Sequence, residues 1–280
     1  MKLRRKLPEG RTYEQIWNHY EVEKRLANKL LHTNREERSK VLSSMYEELF
    51  REVPDHSRLT RQKNLALSQR RVKAQVQFVR KYADASSTVG EFAPGDCAFC
   101  VEMSKHAKYV YGIDISDQRI DPTAFPKNFQ LIIYDGYHVD LPPQSLDVMF
   151  SDQLIEHIHP EDTPLHFQMV ERLLKPGGHY IFRTPHRFSG PHDISRFFSD
   201  IPEGFHLKEW TYTELATILD STFGKWHAYW GSGKSATRLP NPYFVISERM
   251  VQNLQPSARR YISAKLLPNI TVVATKCKHM

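Results

Sequence analysis

The sequence predicts an α/β protein, a doubly wound and mostly parallel sheet of seven strands behind a helical N-terminal extension. Three observations carry that prediction. From Tyr13 to Lys81 there is no Gly and a single Pro, Pro54, and apolar residues recur at helical spacing. After Lys81, short apolar or β-branched runs alternate with helical stretches, the pattern of a sheet covered by helices. The first run ends at Glu91 in a turn and the second ends at Asp114. A separation of about 20 residues is that of a first βαβ unit with a ligand crevice at its strand ends.

Taken in order, the extension (residues 1–84) reads as helices over 12–33, 35–52 and 62–82. Ile16, Tyr20, Leu26 and Leu30 mark the first, and Val41, Met45, Leu49 and Phe50 the second. Asn34 is the cap before Arg35-Glu-Glu, and Val53-Pro54 is the stop. These helices lack a core of their own and are expected to dock on the sheet as a lid. Strands follow at 87–92, 109–114, 129–134, 146–151, 178–184, 225–230 and 269–276 within a domain over 85–280. A helix from Thr163 closes at Lys175-Pro-Gly-Gly178, and Thr211-Tyr-Thr-Glu214 is a capping box. Residues 231–268 form an insertion of mixed loop and helix, where substrate specificity is often built.

With 280 residues, 40% of them hydrophobic, the chain can bury a sizeable core. No stretch approaches the ~18 uncharged apolar residues of a membrane span, and the three cysteines, Cys97, Cys100 and Cys277, make no disulfide framework. A cytoplasmic protein is expected. The charge is uneven. Residues 1–81 hold 20 Lys and Arg against 10 Asp and Glu, leaving 19 against 22 for the remainder. A basic segment of this kind suits nucleic acid, an anionic surface or an acidic substrate, or is a solvated helical face.

The turn after the first strand selects the cofactor. A dinucleotide fold places Gly-x-Gly-x-x-Gly there so that backbone can approach a pyrophosphate. Here the turn holds Ala93, Pro94, Gly95 and Asp96, with Glu91 at the strand end. Two carboxylates repel a pyrophosphate but favour a ligand carrying a sulfonium and an ammonium, which selects S-adenosyl-L-methionine over NAD.

The ordered set Val89-Gly-Glu-Phe-Ala-Pro-Gly-Asp-Cys97, Val110-Tyr-Gly-Ile-Asp-Ile-Ser116, Leu146-Asp-Val-Met-Phe-Ser151, Glu156-His157 and Leu173-Leu-Lys-Pro-Gly-Gly178 resembles the class I S-adenosylmethionine-dependent methyltransferases. It is most similar to the branch with a Glu-His pair after strand four, over about residues 85–230. The resemblance implies a Rossmann-like sheet whose last strand is antiparallel. It implies that Glu91 and the Ala93–Asp96 turn hold the methionine moiety, that Asp114 binds the ribose hydroxyls, and that Ile115 lies against the adenine with Asp135 and Gly136 beside it. Ser151, Asp152 and Gln153 would line the floor under the methyl group. In two places the sequence departs from the family's glycine pattern, at Ala93 and Cys97.

For methyl transfer to a hydroxyl a base helps. His157 after strand four is one candidate. His186 and His192 belong to the polar, broken stretch Arg183–Asp193, read as an acceptor loop, and His206 is a further histidine near it. Some relatives with Glu-x-x-Glu-His after strand four bind a divalent ion there. Gln153 replaces the first carboxylate, so no metal is expected. The reading is therefore a methyltransferase acting on a small-molecule or saccharide-type acceptor, at oxygen. RNA or protein methylation and non-catalytic cofactor binding are the alternatives.

Overall fold

A computed structural model of the chain describes residues 2–56, 59, 65–117, 125–231 and 233–278. Helix α1 (Tyr13–Leu31) begins at Thr12, which exchanges capping hydrogen bonds with Gln15. Helix α2 (Arg35–Glu52) begins at Asn34, whose side chain accepts the Glu37 N–H, and stops at Val53 before Pro54. The pair does have a small core of its own, which corrects the expectation from sequence. Val22, Leu26, Leu30, Met45, Leu49 and Val53 close around Phe205, an aromatic delivered from far along the chain. Burying one such ring contributes roughly 1.5–3 kcal/mol. A second cluster joins Ile16 and Tyr20 of α1 to Ile194, Phe197 and Phe198. Helix α3 (Leu65–Val79) instead packs on the sheet through Val76, Phe78 and Val79.

The sheet is built from β1 (Thr88–Phe92), β2 (Tyr109–Asp114), β3 (Phe129–Ile133), β4 (Leu146–Asp152), β5 (Leu174–Thr184), β6 (Lys225–Trp230), β7 (Thr237–Arg238) and β8 (Ile270–Thr275). Its order is β3-β2-β1-β4-β5-β8-β6-β7. Strands β1 to β5 pair in parallel, and β8 runs antiparallel to both β5 and β6. Among the described residues eight strands stand where seven were expected. The extra one, β7, pairs only two residues with the end of β6 and is too short to leave an alternating pattern.

Helices cover both faces. On one, α3 and α4 (Ala98–Met103) pack on Val89, Val110, Val148 and Ile181. On the other lie α5 (Thr163–Leu173), α6 (Tyr212–Thr222) and α7 (Asn241–Val251), against Phe92, Met149, Tyr180 and Phe182. Helix α8 (Pro256–Leu266) completes the stretch that sequence left as mixed loop and helix. Lys175-Pro-Gly-Gly178 does stop α5, but the strand starts at Leu174 and carries the turn as a bulge, with register shifting between Leu146 and Val148. A Cβ on Gly178 would stand 2.9 Å from the Lys175 carbonyl oxygen, so only glycine fits the bulge.

Strand order reverses between β1 and β4. The crevice outside their C-terminal ends is the topological switch point at which an α/β sheet binds ligands.

Candidate active site

The turn leaving β1 is defined by its backbone. Ala93, Gly95 and Cys97 have φ of 54°, 57° and 57°, so every second residue is left-handed. For a residue with a Cβ this costs about 1–2 kcal/mol. The conformation is the one alternating glycines favour, and it persists where Ala93 and Cys97 replace them. The Ala93 N–H donates to the Ile113 carbonyl at 2.8 Å, and the Ala98 N–H donates to Asp96 Oδ1 at 3.1 Å. A Cβ on Gly95 would meet nothing within 4 Å, so open space faces this apex.

Carboxylates converge beneath and beside the turn. Glu91 is buried and accepts the Cys100 thiol at 3.0 Å. Burial, reinforced by Asp152, Asp96 and Asp114 against the thiol hydrogen bond, pushes Glu91 up to about 8. Asp114, also buried, accepts the Ile115 N–H at 2.7 Å and the Ser116 N–H at 3.4 Å, which fixes it at the end of β2. Asp152 is spent differently. Arg183 binds it at 2.6 and 2.9 Å and Arg71 at 2.6 Å, and these guanidinium groups overcome burial to hold it below the usual carboxylate range. The Ser151 hydroxyl turns into the core, 2.8 Å from the Tyr180 hydroxyl, which in turn lies 3.1 Å from His166 Nε2. Burial drives His166 down to about 3, so its ring is neutral. Asp135 closes the turn after β3 by accepting the Tyr137 and His138 N–H groups at 2.8 and 2.6 Å. Gly136 beside it has φ +93°, and a Cβ there would stand 3.3 Å from Leu42 of α2.

A cavity, partly open to solvent, runs from this rim under the helical extension. Ile115, Tyr134 and Gly136 line one end, and His157 and Ile158 lie on its wall after β4. Met45 and Tyr46 of α2 form the roof. His157 is positioned through its Nδ1, 2.8 Å from the Phe205 carbonyl oxygen, which leaves Nε2 as the basic nitrogen. The Phe205 N–H donates to Glu23 Oε2 on α1 at 3.2 Å, and Glu23 Oε1 lies 2.7 Å from His19 Nε2. The extension is thus wired through one residue to the histidine on the cavity wall.

Behind His157 sits a dense buried network. His206 packs against it at 4.9 Å between ring centroids and pairs through Nδ1 with Glu209 Oε1 at 2.8 Å. Burial opposes protonation of His206, but Glu209, Glu156 and Asp193 together raise it to about 9. Glu156 accepts the Thr184 hydroxyl at 2.9 Å through Oε2, while its Oε1 has no partner among the described residues. Burial pushes this carboxyl up to about 7. Glu156, His157 and His206 bring one ligand-type atom each within 4.8 Å of the others, as do His19, Glu23 and His56. In the second group His19 already accepts from Arg11 at Nδ1, 3.0 Å away, so its Nε2 carries the proton given to Glu23 and is not a metal donor.

The structure does not bring His186 and His192 to this cavity, which corrects the acceptor-loop reading. His186 is fully buried, with Nε2 2.8 Å from Glu248 of α7 and Nδ1 accepting the Phe188 N–H at 3.1 Å. His192 lies 3.0 Å from the Ser189 hydroxyl and 3.3 Å from the His186 carbonyl. The loop is folded inward because Glu248 draws His186 under α7. Glu209, Glu23 and Phe205 are the site-forming residues that sequence reasoning missed. Glu23 and Phe205 meet across 182 positions of sequence, and the polar turn Gly204-Phe-His-Leu-Lys-Glu209 was the single hint.

Residues 91–182 match the family model of the methyltransferase domain. Over this span the chain is similar to a methyltransferase domain. The match begins at Glu91 near the end of β1 and ends at Phe182 within β5, so it holds Glu91, the 93–97 turn, Asp114, Asp135 and His157 but not the helical extension or the 184–210 stretch. The domain match supports a methyltransferase, and the convergence of Glu91, Asp96 and Asp114 on the left-handed turn fits a cationic, phosphate-free cofactor. No curated protein matches the sequence significantly. Among solved structures the fold is similar to YcgJ of Bacillus subtilis, with 12% identity and a TM-score of 0.51 over 73% of this chain and 98% of that one. It is similar to a chain of the complex between the Haloferax volcanii Trm112 methyltransferase activator and a protein assigned as a methyltransferase (12%, TM-score 0.53, 77% and 94%). It is also similar to phosphoethanolamine N-methyltransferase 1 of Haemonchus contortus with phosphoethanolamine and S-adenosylhomocysteine (14%, TM-score 0.51, 66% and 41%). No helix among the described residues is long and apolar enough to cross a membrane.

Proposed function

We propose that the protein methylates a small-molecule acceptor at oxygen, in the cavity between the methyltransferase domain and helices α1 and α2. The observation that carries this reading is the continuity of that cavity, which joins Ile115 and Gly136 at the cofactor rim to His157 on the wall. S-adenosylmethionine supplies a methyl group on a sulfonium. The residues of the chain do the rest. Asp114 takes the ribose hydroxyls, Ile115 and Gly136 flank the adenine, and the Ala93–Asp96 turn with Glu91 beneath it holds the methionine end. Ser151 and Asp152 support this floor from below through Tyr180 and Arg183.

Holding the acceptor oxygen in line with the methyl carbon removes much of the entropic barrier, up to about 7–11 kcal/mol for well-oriented reactants. His157, held through Nδ1 by the Phe205 carbonyl, would take the acceptor's hydroxyl proton on Nε2 as the methyl group is transferred, while bound S-adenosylmethionine would supply the methyl and keep the released thioether. The aliphatic and aromatic lining favours an acceptor with an apolar body over a bare saccharide. RNA is disfavoured because much of the basic segment is paired internally: Arg25 with Glu48 and Glu52, Arg38 with Glu161 and Asp162, Lys24 with Glu203, Arg11 with Asp55.

The test is labelled S-adenosylmethionine with fractionated cell extract. Label entering small apolar molecules supports the reading, and label entering only RNA or protein overturns it. Calorimetry with Asp114→Ala checks the cofactor pose, with loss of detectable binding expected and retained affinity counting against the ribose contact.

A further inference from the structure

The basic cluster at the N-terminus is not absorbed by methyl transfer, and the structure gives it a place. The Arg4 N–H donates to the Phe197 carbonyl at 2.9 Å, which folds this segment back onto the loop after β5 and onto α8. There an open groove is lined by Arg5, Arg260, Ser189, His192, Ser257 and Tyr261. Each of these polar groups can donate a hydrogen bond, and no carboxylate lines the groove. Arg260 is held rigidly, its Nε donating to the Gly190 carbonyl at 2.9 Å and its Nη2 to Asp200 at 2.6 Å. Arg5 differs. Among the described residues no carboxylate lies within ion-pair distance of it, and burial together with the charges of Arg260 and Arg196 lowers its pKa. Asp200 neutralises Arg260 and Glu209 acts on Arg5 only through space, so the Arg5 guanidinium keeps donors that an anion in the groove can take.

We infer that this groove binds a small phosphorylated ligand, its phosphate oxygens accepting from Arg5, Arg260 and the hydroxyls of Ser257 and Tyr261. The site is separate from the cavity under α2, with which it shares no lining residue. The ligand chemistry is a phosphomonoester or diphosphate, either free or as the anionic end of a larger molecule.

The test is calorimetry of the full chain with inorganic pyrophosphate at low and at physiological salt, repeated with the cofactor present. Binding is expected in both cofactor states. Arg5→Glu, a change of an exposed side chain, should weaken it by more than tenfold, while Arg80→Ala on the distant, exposed end of α3 leaves it unchanged. Circular dichroism and cofactor affinity of Arg5→Glu should match the parent, which separates loss of the site from loss of the fold. Absence of binding at low salt overturns the inference, as does competition with S-adenosylmethionine or equal affinity in Arg5→Glu. A single-stranded RNA that binds more tightly than pyrophosphate and displaces it also overturns it, since the face would then serve a polyanion. If a nucleoside diphosphate binds more tightly than pyrophosphate and equally depends on Arg5, the ligand is the larger molecule's anionic end. None of these outcomes bears on the methyl-transfer reading, which stands or falls on the labelled-cofactor experiment.

Discussion

Two loops that leave parallel strands, β1 and β5, are held by opposite means. The turn of residues 93–97 is held by backbone: three left-handed residues and few side-chain hydrogen bonds. The stretch from Thr184 to Trp210 is held by side chains, with His186 on Glu248, His206 on Glu209, Gly204 on Asp193 and Phe205 on Glu23. The first must leave its inner face open for a ligand, so it cannot fill that face with side chains. The second must carry a charged histidine and buried carboxyls, so each needs a partner. A backbone-held loop tolerates exchange of residue type where the dihedral survives, whereas a side-chain network fails when one member is removed.

The largest expected effect breaks the second loop. Glu209→Ala leaves His206 charged and buried without its main partner, a type of loss worth about 3–5 kcal/mol. Urea unfolding measures it, and a change below about 1 kcal/mol would mean that the network is decorative. Next, His157→Gln should lower kcat by roughly 100-fold, the low end of general base catalysis, with cofactor affinity unchanged. Equal loss of both would assign His157 to cofactor binding instead.

A third, smaller effect comes from the first loop. With Glu91 raised to about 8, its carboxyl is protonated in the free protein at neutral pH, and a bound cation favours the ionised form. Cofactor binding therefore releases a proton. Affinity should rise by on the order of tenfold between pH 6.5 and 8.5 and level off above that range. Calorimetry in buffers of differing ionisation enthalpy counts the proton, and a pH-independent affinity would contradict the assignment. The smallest effect is Ala93→Gly. Relief of the left-handed strain, less the added freedom of the unfolded chain, should stabilise the protein by about 1 kcal/mol or less. Thermal unfolding checks the sign, and destabilisation would show that the Ala93 methyl packs usefully.

The same contrast explains what was legible in the sequence. Strand ends at Glu91 and Asp114, the caps at Thr12, Asn34 and Thr211, and the helix stop at Leu173 all follow from local signals. The left-handed turn is readable through its one surviving glycine, because spacing and strand context specify the backbone. The Glu23–Phe205–His157 connection was not readable. It joins residues more than 180 positions apart, and nothing near Glu23 distinguishes a buried acceptor from a surface carboxylate on α1. His186 misled for the converse reason. Its stretch looks too polar for a core, yet Glu248 supplies a partner from another helix and makes burial acceptable. Asp152 likewise reads as a site residue until Arg71 and Arg183 are seen to claim it.

The two thiols beside the turn have a practical consequence. Cys97 is fully buried and burial drives it up to about 12, burial beside Glu91 also raises Cys100, and Cys277 is only partly covered. An alkylating reagent should therefore consume Cys277 at once and reach Cys97 only when the turn opens. The second, slow phase of labelling is a clock for that opening, readable by mass spectrometry without substrate or turnover. A ligand that settles on the turn should stop the clock.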